Sequence, residues 1–171
     1  PRIRLSRRLA IAGAIGAAAI AIVLTTERLV DRVERRGSIT VTAHRAGGAT
    51  PERPENSLAA LRHSIDAGAD AAEIDVQLSG DGHVVVVHDR DMMRLAGKPL
   101  IVSRTPRDQL DVATLEEFID ASRGRIRLAI ELKYYGRDER LVPAVLDVLR
   151  RESFLDAATL ISLDEPSLRQ A

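Results

Sequence analysis

Apolar and polar positions after residue 38 alternate between short runs with a period of two and longer runs with helical spacing. The two-residue period and the β-branched content predict five strands. We expect these strands at residues 39–43, 71–77, 83–88, 127–133 and 158–162. Strands that alternate with helical stretches favour βα units with parallel pairing. The pattern therefore indicates an α/β fold, and the polar residues at the strand ends, described below, favour a TIM (β/α)8 barrel.

Helix starts are indicated by capping residues. Asn56 or Ser57 precedes an apolar repeat that ends near Gly68, and a capping box opens a helix at Thr114. We expect a further helix at residues 140–152 and a short turn or helix at 105–110. Only about five of the eight barrel strands fit into this chain, which starts at Pro1. We therefore expect a fragment whose barrel is incomplete.

The first 38 residues have a different pattern. Residues 9–26 form an uncharged stretch of 18 residues. As a helix this stretch would be about 27 Å long, close to the ~30 Å core of a bilayer. We expect a basic flank at 1–8, a transmembrane helix at 9–30, a charged connector at 31–38 and the barrel domain at 39–171. A signal peptide or a buried soluble helix stays open as an alternative.

Composition narrows the function classes. The chain has no cysteine, which excludes disulfides and zinc sites built on thiolates. Net charge is zero, but residues 1–38 carry eight arginines against three acidic residues, and a membrane explains this basic end best. Two Phe, two Tyr and no Trp leave no platform for stacking bases, so nucleic acid is not an expected partner. The oligomeric state stays open.

Two carboxylates stand two positions apart in the predicted strand at 71–77. Glu73 and Asp75 should project from the same face, with Ile74 on the other. Adjacent carboxylates repel each other unless a cation lies between them. Hard divalent cations prefer such oxygen ligands. The spacing predicts a divalent metal site, although salt bridges to neighbouring arginines would also satisfy the pair.

Polar side chains recur where four of the predicted strands end. A barrel builds its active site at that edge, and imidazoles there can transfer protons near neutral pH. The clustered residues are His44, Glu73, Asp75, His88, Glu131 and Lys133. A simple ion pair between Glu131 and Lys133 is the alternative interpretation. We expect His63 and His83 to face solvent, and Asp89 to shape a turn.

Seven short motifs occur in a specific order from about Thr40 onwards. They are His44-Arg45, Pro54-Glu55-Asn56-Ser57, Glu73-Ile74-Asp75, Asp81-Gly82, His88-Asp89, Thr114-Leu115-Glu116-Glu117 and Glu131-Leu132-Lys133. In this order they resemble the glycerophosphodiester phosphodiesterase family, whose fold is a TIM barrel of the phospholipase C-like phosphodiesterase type. The uncharged stretch before the domain resembles the membrane-anchored branch, whose catalytic domain faces the extracytoplasmic side.

The resemblance implies metal-dependent cleavage of glycerophosphodiesters to sn-glycerol 3-phosphate and an alcohol. It implies Glu73, Asp75 and Glu131 as ligands of Ca²⁺ or Mg²⁺, His44 and His88 as the acid–base pair, Arg45 and Lys133 as phosphate-binding cations, and Glu55 as a carboxylate that orients the site. Two imidazoles suit a displacement in which one oxygen loses a proton and another gains one.

Some positions depart from the family pattern. Ala46 replaces a glycine, which we expect to matter little because Gly47 and Gly48 follow, and Leu163 stands where Phe is frequent. The loop at 110–114 is short. This loop leaves two alternatives open: a phosphodiesterase of the same barrel type that acts on lysophospholipids or sphingolipids, and a non-catalytic membrane-tethered binding module.

Overall fold

The computed structural model describes residues 13–14, 16–26, 39–48, 50–136, 138–164 and 169. Two compact units are present, Pro1–Ile39 and Thr40–Ala171. In the first unit, residues 13–14 and 16–26 are helical and exposed. The remainder of the predicted transmembrane helix lies outside the described residues, as do the flank at 1–8 and the connector at 31–38. No described helix is both long and apolar enough to cross a bilayer.

The second unit is built on one sheet of five strands. The strands are β1 (Thr42–Ala43), β2 (Ala71–Leu78), β3 (Val84–Val86), β4 (Arg127–Leu132) and β5 (Ala158–Ile161). Strands β1, β2, β4 and β5 are neighbours in that order, and all three of these pairings are parallel. All five predicted strands are present, although β1 and β3 are shorter than predicted.

The prediction of parallel pairing is wrong for β3. This strand pairs with β2 in the antiparallel sense, with Val76 opposite Val86 and Leu78 opposite Val84. The connection between the two strands is a tight turn, in which the backbone N–H of Ser79 donates to the carbonyl of His83 at 2.9 Å. A parallel partner needs a crossover of a dozen or more residues, which this turn lacks. The sheet therefore has four parallel strands of the barrel type rather than five.

The described residues of this unit include the helices α1 (Leu58–Asp66), α2 (Met93–Ala96), α3 (Leu115–Ser122) and α4 (Leu141–Arg151). Helices α1, α3 and α4 pack against the sheet, whereas Leu95 of α2 packs against a separate apolar cluster. Of the two predicted cap candidates it is Ser57 that caps α1, since its hydroxyl oxygen accepts the N–H of Ala60 at 3.1 Å. The predicted capping box between Thr114 and Glu117 is confirmed at the start of α3. Helix α2 was not predicted, and residues 107–109 form a 3₁₀ turn.

The main core lies between the sheet and α1, α3 and α4. Leu128, Ile130 and Leu132 of β4 are buried in it, as their alternation predicts. Val84 and Val86 also face this core, whereas Val85 and Val87 face a second cluster beneath the excursion at residues 88–112. The other face of β2 and β4 carries the charged side chains of the predicted site.

Candidate active site

The three predicted metal ligands meet on the face of β2 and β4 opposite the main core. Glu73 and Asp75 share a face of β2, and Asp75 is the direct register partner of Glu131 on β4. One carboxylate oxygen from each residue lies within 4.8 Å of the other two. Asp75 is 1% exposed and Glu73 is 8% exposed. The structure thus brings the predicted ligands together, while their role as ligands stays a prediction.

The donor set fits a hard divalent cation. Oε1 of Glu73 is buried and accepts no hydrogen bond within the part of the chain that the structure describes, and the buried Oδ1 of Asp75 has only the ion-pair contact with Lys133 at 3.2 Å. Burial raises the pKa of Glu73, the backbone N–H of Arg45 lowers it, and the charges of Asp75 and Glu131 raise it further. Buried carboxylate oxygens without partners are costly. A bound cation would remove that cost.

Lys133 lies one residue beyond β4 and contacts two of the three carboxylates. Its Nζ is 2.9 Å from Oε1 of Glu131 and 3.2 Å from Oδ1 of Asp75. Burial lowers the pKa of Lys133, but the hydrogen bond to Glu131 and the charge of Asp75 outweigh that effect and raise it above its ordinary value. The alternative pairing of Glu131 with Lys133 is therefore present, and it extends to Asp75.

His44 and Arg45 follow β1 in a 3₁₀ turn, His44–Gly47. The backbone N–H of Arg45 donates to Oε2 of Glu73 at 2.7 Å, and its Nη1 donates to both oxygens of Glu55 at 3.0 Å. Nε of Arg45 lies 3.8 Å from Oδ2 of Asp75. Nε2 of His44 is 3.8 Å from Oε2 of Glu73, and its side chain is 75% exposed. Both predicted groups thus border the carboxylate cluster.

Ala46 in this turn introduces backbone strain, which we did not expect from the sequence. Its φ is 59°, in the left-handed region, and its side chain is fully buried. A residue with a Cβ atom adopts this region at a cost of roughly 1–2 kcal/mol relative to its usual conformations. Gly47 and Gly48 do not relieve this strain, because it arises at residue 46 itself.

His88 reaches the site because β3 reverses direction. The backbone N–H of Val87 donates to the carbonyl of Asp75 at 2.9 Å, which returns the chain to the level of the carboxylates. Nε2 of Gln77 donates to the carbonyls of residues 87, 88 and 89 at 3.0, 3.1 and 2.7 Å. The hydroxyl of Tyr135 donates to the carbonyl of His88 at 2.7 Å. The backbone of His88 is therefore held from two sides.

Asn56 is a site residue that the sequence suggested only as a helix cap. Its Nδ2 donates to Oδ2 of Asp75 at 2.8 Å, and its Oδ1 accepts the backbone N–H of Asp75 at 3.2 Å. Asn56 is buried and has a φ of 55°. Asparagine tolerates this backbone region better than most residues. The Pro-Glu-Asn-Ser motif contained the residue, but no local spacing indicates its partner.

Arg94 on α2 was not singled out by the sequence either. Its Nε donates to Oδ2 of Asp89 at 2.6 Å, and its Nη2 donates to Oε1 of Glu55 at 2.6 Å. These contacts keep the pKa of Asp89 and of Glu55 below their usual values. Glu55 thus lies between two guanidinium groups, those of Arg94 and Arg45, and its role in orienting the site stays a prediction.

A polar cavity of about 290 Å³ borders Lys133 and Tyr135. Its lining also includes Gln77, Arg90 and Arg140. Because Lys133 lines this cavity and also contacts Asp75 and Glu131, the cavity lies next to the carboxylate cluster on the side of Lys133.

Comparison with known proteins places these features in a family. The model of the glycerophosphoryl diester phosphodiesterase family matches residues 44–169. A probable glycerophosphodiester phosphodiesterase 1 of Mycobacterium tuberculosis is 46% identical over 70 residues, which are 41% of this chain and 25% of the relative.

Solved structures show the same likeness. A glycerophosphodiester phosphodiesterase from Thermotoga maritima superposes with a TM-score of 0.67 at 28% identity, over 79% of this chain and 59% of the other. A phosphodiesterase from Oleispira antarctica, solved in complex with the product sn-glycerol-3-phosphate, has a TM-score of 0.70 at 30% identity, over 78% of this chain and 61% of the other. The chain spans less than two thirds of the length of these proteins.

Proposed function

This chain belongs to the glycerophosphoryl diester phosphodiesterase family, and from that membership we propose that the protein hydrolyses glycerophosphodiesters to sn-glycerol 3-phosphate and an alcohol, with a divalent metal ion. One observation carries the proposal: Glu73, Asp75 and Glu131 converge within 4.8 Å, and the buried Oε1 of Glu73 accepts no hydrogen bond among the described residues. A phosphodiester is an anion, and the cationic side chains of Arg45 and Lys133 border this carboxylate cluster.

Glu73, Asp75 and Glu131 are the residues that would hold the ion, and Ca²⁺ and Mg²⁺ both suit their oxygen ligands. When bound, such an ion supplies neutralisation of phosphate charge and polarisation of the phosphoryl group. Arg45 and Lys133 add positive charge on either side of Asp75, to which Nε of Arg45 and Nζ of Lys133 lie at 3.8 and 3.2 Å. These two side chains bind and orient the phosphate.

His44 and His88 transfer protons. One imidazole accepts a proton from the attacking water molecule or glycerol hydroxyl group as its oxygen bonds to phosphorus. The other donates a proton to the leaving oxygen as its bond to phosphorus breaks, so the leaving group departs as a neutral alcohol. His44 is largely exposed and borders Glu73. His88 is mostly enclosed, and its Nδ1 lies 2.8 Å from Oδ1 of Asp89. The two imidazoles thus have different surroundings, which suits two different roles.

The direct test uses the intact protein and glycerophosphocholine as substrate. Release of sn-glycerol 3-phosphate is measured with and without a chelator, and then after addition of Ca²⁺ or Mg²⁺. We expect the chelator to abolish this release and one of the two ions to restore it. The variants His44→Ala and His88→Ala should lose nearly all activity. His63→Ala, an exposed histidine on α1, is the matched control and should keep its activity. Release that is insensitive to the chelator would refute the proposal.

A lipid substrate is the second candidate. A lysophospholipase D of Mus musculus is 44% identical over 59 residues, which are 34% of this chain and 17% of the relative. The described part of the first unit also exposes apolar side chains, including Ile20, Ile22, Val23 and Leu24. The intact protein should be assayed in parallel on glycerophosphocholine and on lysophosphatidylcholine vesicles. A higher kcat/KM on the lysolipid would favour this candidate.

The same exposed apolar residues support a proposal about location. We propose that residues 9–30 attach the protein to a membrane and that the catalytic domain lies on the extracytoplasmic side. Flotation of the intact protein with vesicles, compared with a variant lacking residues 1–38, tests the attachment. Accessibility of the domain to protease in intact cells tests the side. A domain that is cleaved only after lysis would contradict the proposed side.

A further inference from the structure

Next to the carboxylate cluster, four charged side chains form a line that ends at His88. Nδ1 of His88 contacts Oδ1 of Asp89 at 2.8 Å, and Oδ2 of Asp89 accepts from Nε of Arg94 at 2.6 Å. The other edge of Arg94 donates to Glu55, with Nη2 at 2.6 Å from Oε1 and Nη1 at 3.1 Å from Oε2. Glu55 in turn accepts from Nη1 of Arg45 at 3.0 Å. The charges alternate along the whole line.

Glu55, His88 and Asp89 also have ligand atoms within 4.8 Å of one another, which is a spacing suited to a metal ion. The guanidinium of Arg94 already bridges the two carboxylates of this group, through Nε and Nη2 at 2.6 Å. A planar guanidinium with donors on two edges satisfies two carboxylates without a metal. We therefore interpret this group as an ion-pair network and not as a second metal site.

The network determines which nitrogen of His88 carries the proton. Arg94 holds the pKa of Asp89 below its usual range, so Asp89 is a carboxylate that only accepts hydrogen bonds. A contact of 2.8 Å between Oδ1 of Asp89 and Nδ1 of His88 then requires the proton to be on Nδ1. In the neutral imidazole Nε2 is left without a proton, and it is free to accept one from a reacting oxygen.

We propose that Arg94 is a positioning residue, which holds Asp89 and Glu55 with one guanidinium group and thereby orients both His88 and Arg45 for the reaction. This inference rests on the proposed phosphodiesterase function. Arg94 acts through its two carboxylates and not on substrate. Arg94 lies on α2, in the excursion at residues 88–112. This excursion therefore links the position of the proposed acid–base group, His88, to that of the phosphate-binding group, Arg45.

Other polar groups around His88 do not replace this effect. Gln77 from β2 and Tyr135 from the segment after β4 both donate to backbone carbonyls, at residues 87–89 and at His88. These two side chains therefore fix the main chain, whereas the imidazole ring contacts Asp89. Among the contacts of the described residues, the ring is therefore oriented by Asp89, and Asp89 is oriented by Arg94.

The first experiment measures the tautomer without any activity. The intact protein is labelled with ¹⁵N-histidine, and His88 is assigned by comparison with His88→Gln. We expect the proton on Nδ1 in the wild type, and a shift towards the Nε2–H tautomer in Asp89→Asn and in Arg94→Met. Wild-type protein with the proton on Nε2, or a tautomer unchanged in both variants, would overturn the inference.

The second experiment separates positioning from folding. Arg94→Met keeps the aliphatic stem, and Arg62→Met, an exposed arginine on α1, is the matched control. Loss of a partner that orients a functional histidine typically costs about 10- to 100-fold. We expect a loss of that size in kcat with KM changed less than about threefold, partial recovery in Arg94→Lys, and no change in Arg62→Met.

Thermal unfolding of each variant accompanies the kinetics. If kcat of the variant returns fully to the wild-type value at a temperature where the variant is folded, Arg94 has a purely structural role, and the inference is overturned. If the wild-type protein releases no glycerol 3-phosphate, the proposed function fails, and the tautomer of His88 still tests the role of Arg94. The two failures are therefore distinguishable.

Discussion

Asp75 and Glu131 face each other across the parallel β2–β4 pair, and Nζ of Lys133 lies 3.2 Å from the first carboxylate and 2.9 Å from the second. The register of two strands thus sets the distance between two carboxylates that are far apart in sequence. Lys133 neutralises part of their charge from one side. Glu73 approaches the cluster from the other end of the same β2 face, and the space between the carboxylates suits a divalent cation.

Replacing Asp75 by Asn should abolish metal binding. Loss of a residue that merely supports a metal ligand costs about 10- to 100-fold in affinity, so loss of a direct ligand should cost more than about 100-fold. Metal affinity is measured by titration calorimetry, and turnover on glycerophosphocholine is measured in parallel. Asp147→Asn, an exposed carboxylate on α4, should match the wild type. Unchanged metal affinity in Asp75→Asn would contradict the assignment of this ligand.

Replacing Glu73 by Gln should abolish activity yet stabilise the metal-free protein. The folded pKa of Glu73 is above its ordinary value of 4.5 because burial disfavours the charged form. The folded state then binds this proton more tightly than the unfolded state does. The resulting stability is present below about pH 4.5 and is lost as the pH rises through the folded pKa. The Gln side chain stays neutral, so the stability of the Glu73→Gln variant should not fall as the pH rises through the folded pKa of Glu73.

The measurement is urea unfolding of chelator-treated protein from pH 4 to pH 8. We expect Glu73→Gln to exceed the wild type at pH 7 by roughly 1–3 kcal/mol, the cost of a buried group left unsatisfied. Adding the metal should stabilise only the wild type. Equal pH profiles for the two proteins would show that Glu73 is not perturbed by burial.

Asn56 should contribute to stability through both its side chain and its backbone. Asn56→Gly removes two hydrogen bonds to Asp75 but tolerates a φ of 55°, and Asn56→Ala removes the bonds and adds backbone strain. We expect a loss of roughly 1–3 kcal/mol in the free energy of unfolding for Gly, and about 1 kcal/mol more for Ala. Denaturant unfolding of both variants checks the order. If Asn56→Ala is as stable as Asn56→Gly, the backbone conformation of residue 56 does not contribute to stability.

Gly48 should be intolerant of a side chain. A Cβ atom there would lie 2.4 Å from the backbone of Glu55, although its φ of −76° is open to any residue. Gly48→Ala should therefore displace Glu55, raise KM because Arg45 loses its support, and cost roughly 1–3 kcal/mol as overpacking does. Gly124→Ala is the contrasting case, with φ +70° but no atom within 4 Å. It should lose stability and keep its KM.

The local part of the fold could be predicted from the sequence. Period-two alternation placed Leu128, Ile130 and Leu132 in the core, and the hydrogen bonds of the capping box formed at Thr114 as its spacing indicated. Alternation also placed Glu73 and Asp75 on one face. These features depend on residues within a few positions of each other, so the chain's own geometry determines them.

What only the tertiary structure decided depends on contacts between distant residues. The antiparallel direction of β3 follows from a turn whose length favours a hairpin, and it brings the backbone of Val87, the residue before His88, to Asp75. Arg94 contacts Glu55 across 39 positions, and Asn56 contacts Asp75 across 19. The sequence has 23 arginines that could have bonded to Glu55, and its single asparagine, Asn56, could have bonded to many other acceptors. The packing of α1 against the sheet and of α2 against the second apolar cluster selects the bonds that form, because a hydrogen bond requires its two atoms to approach within about 3 Å.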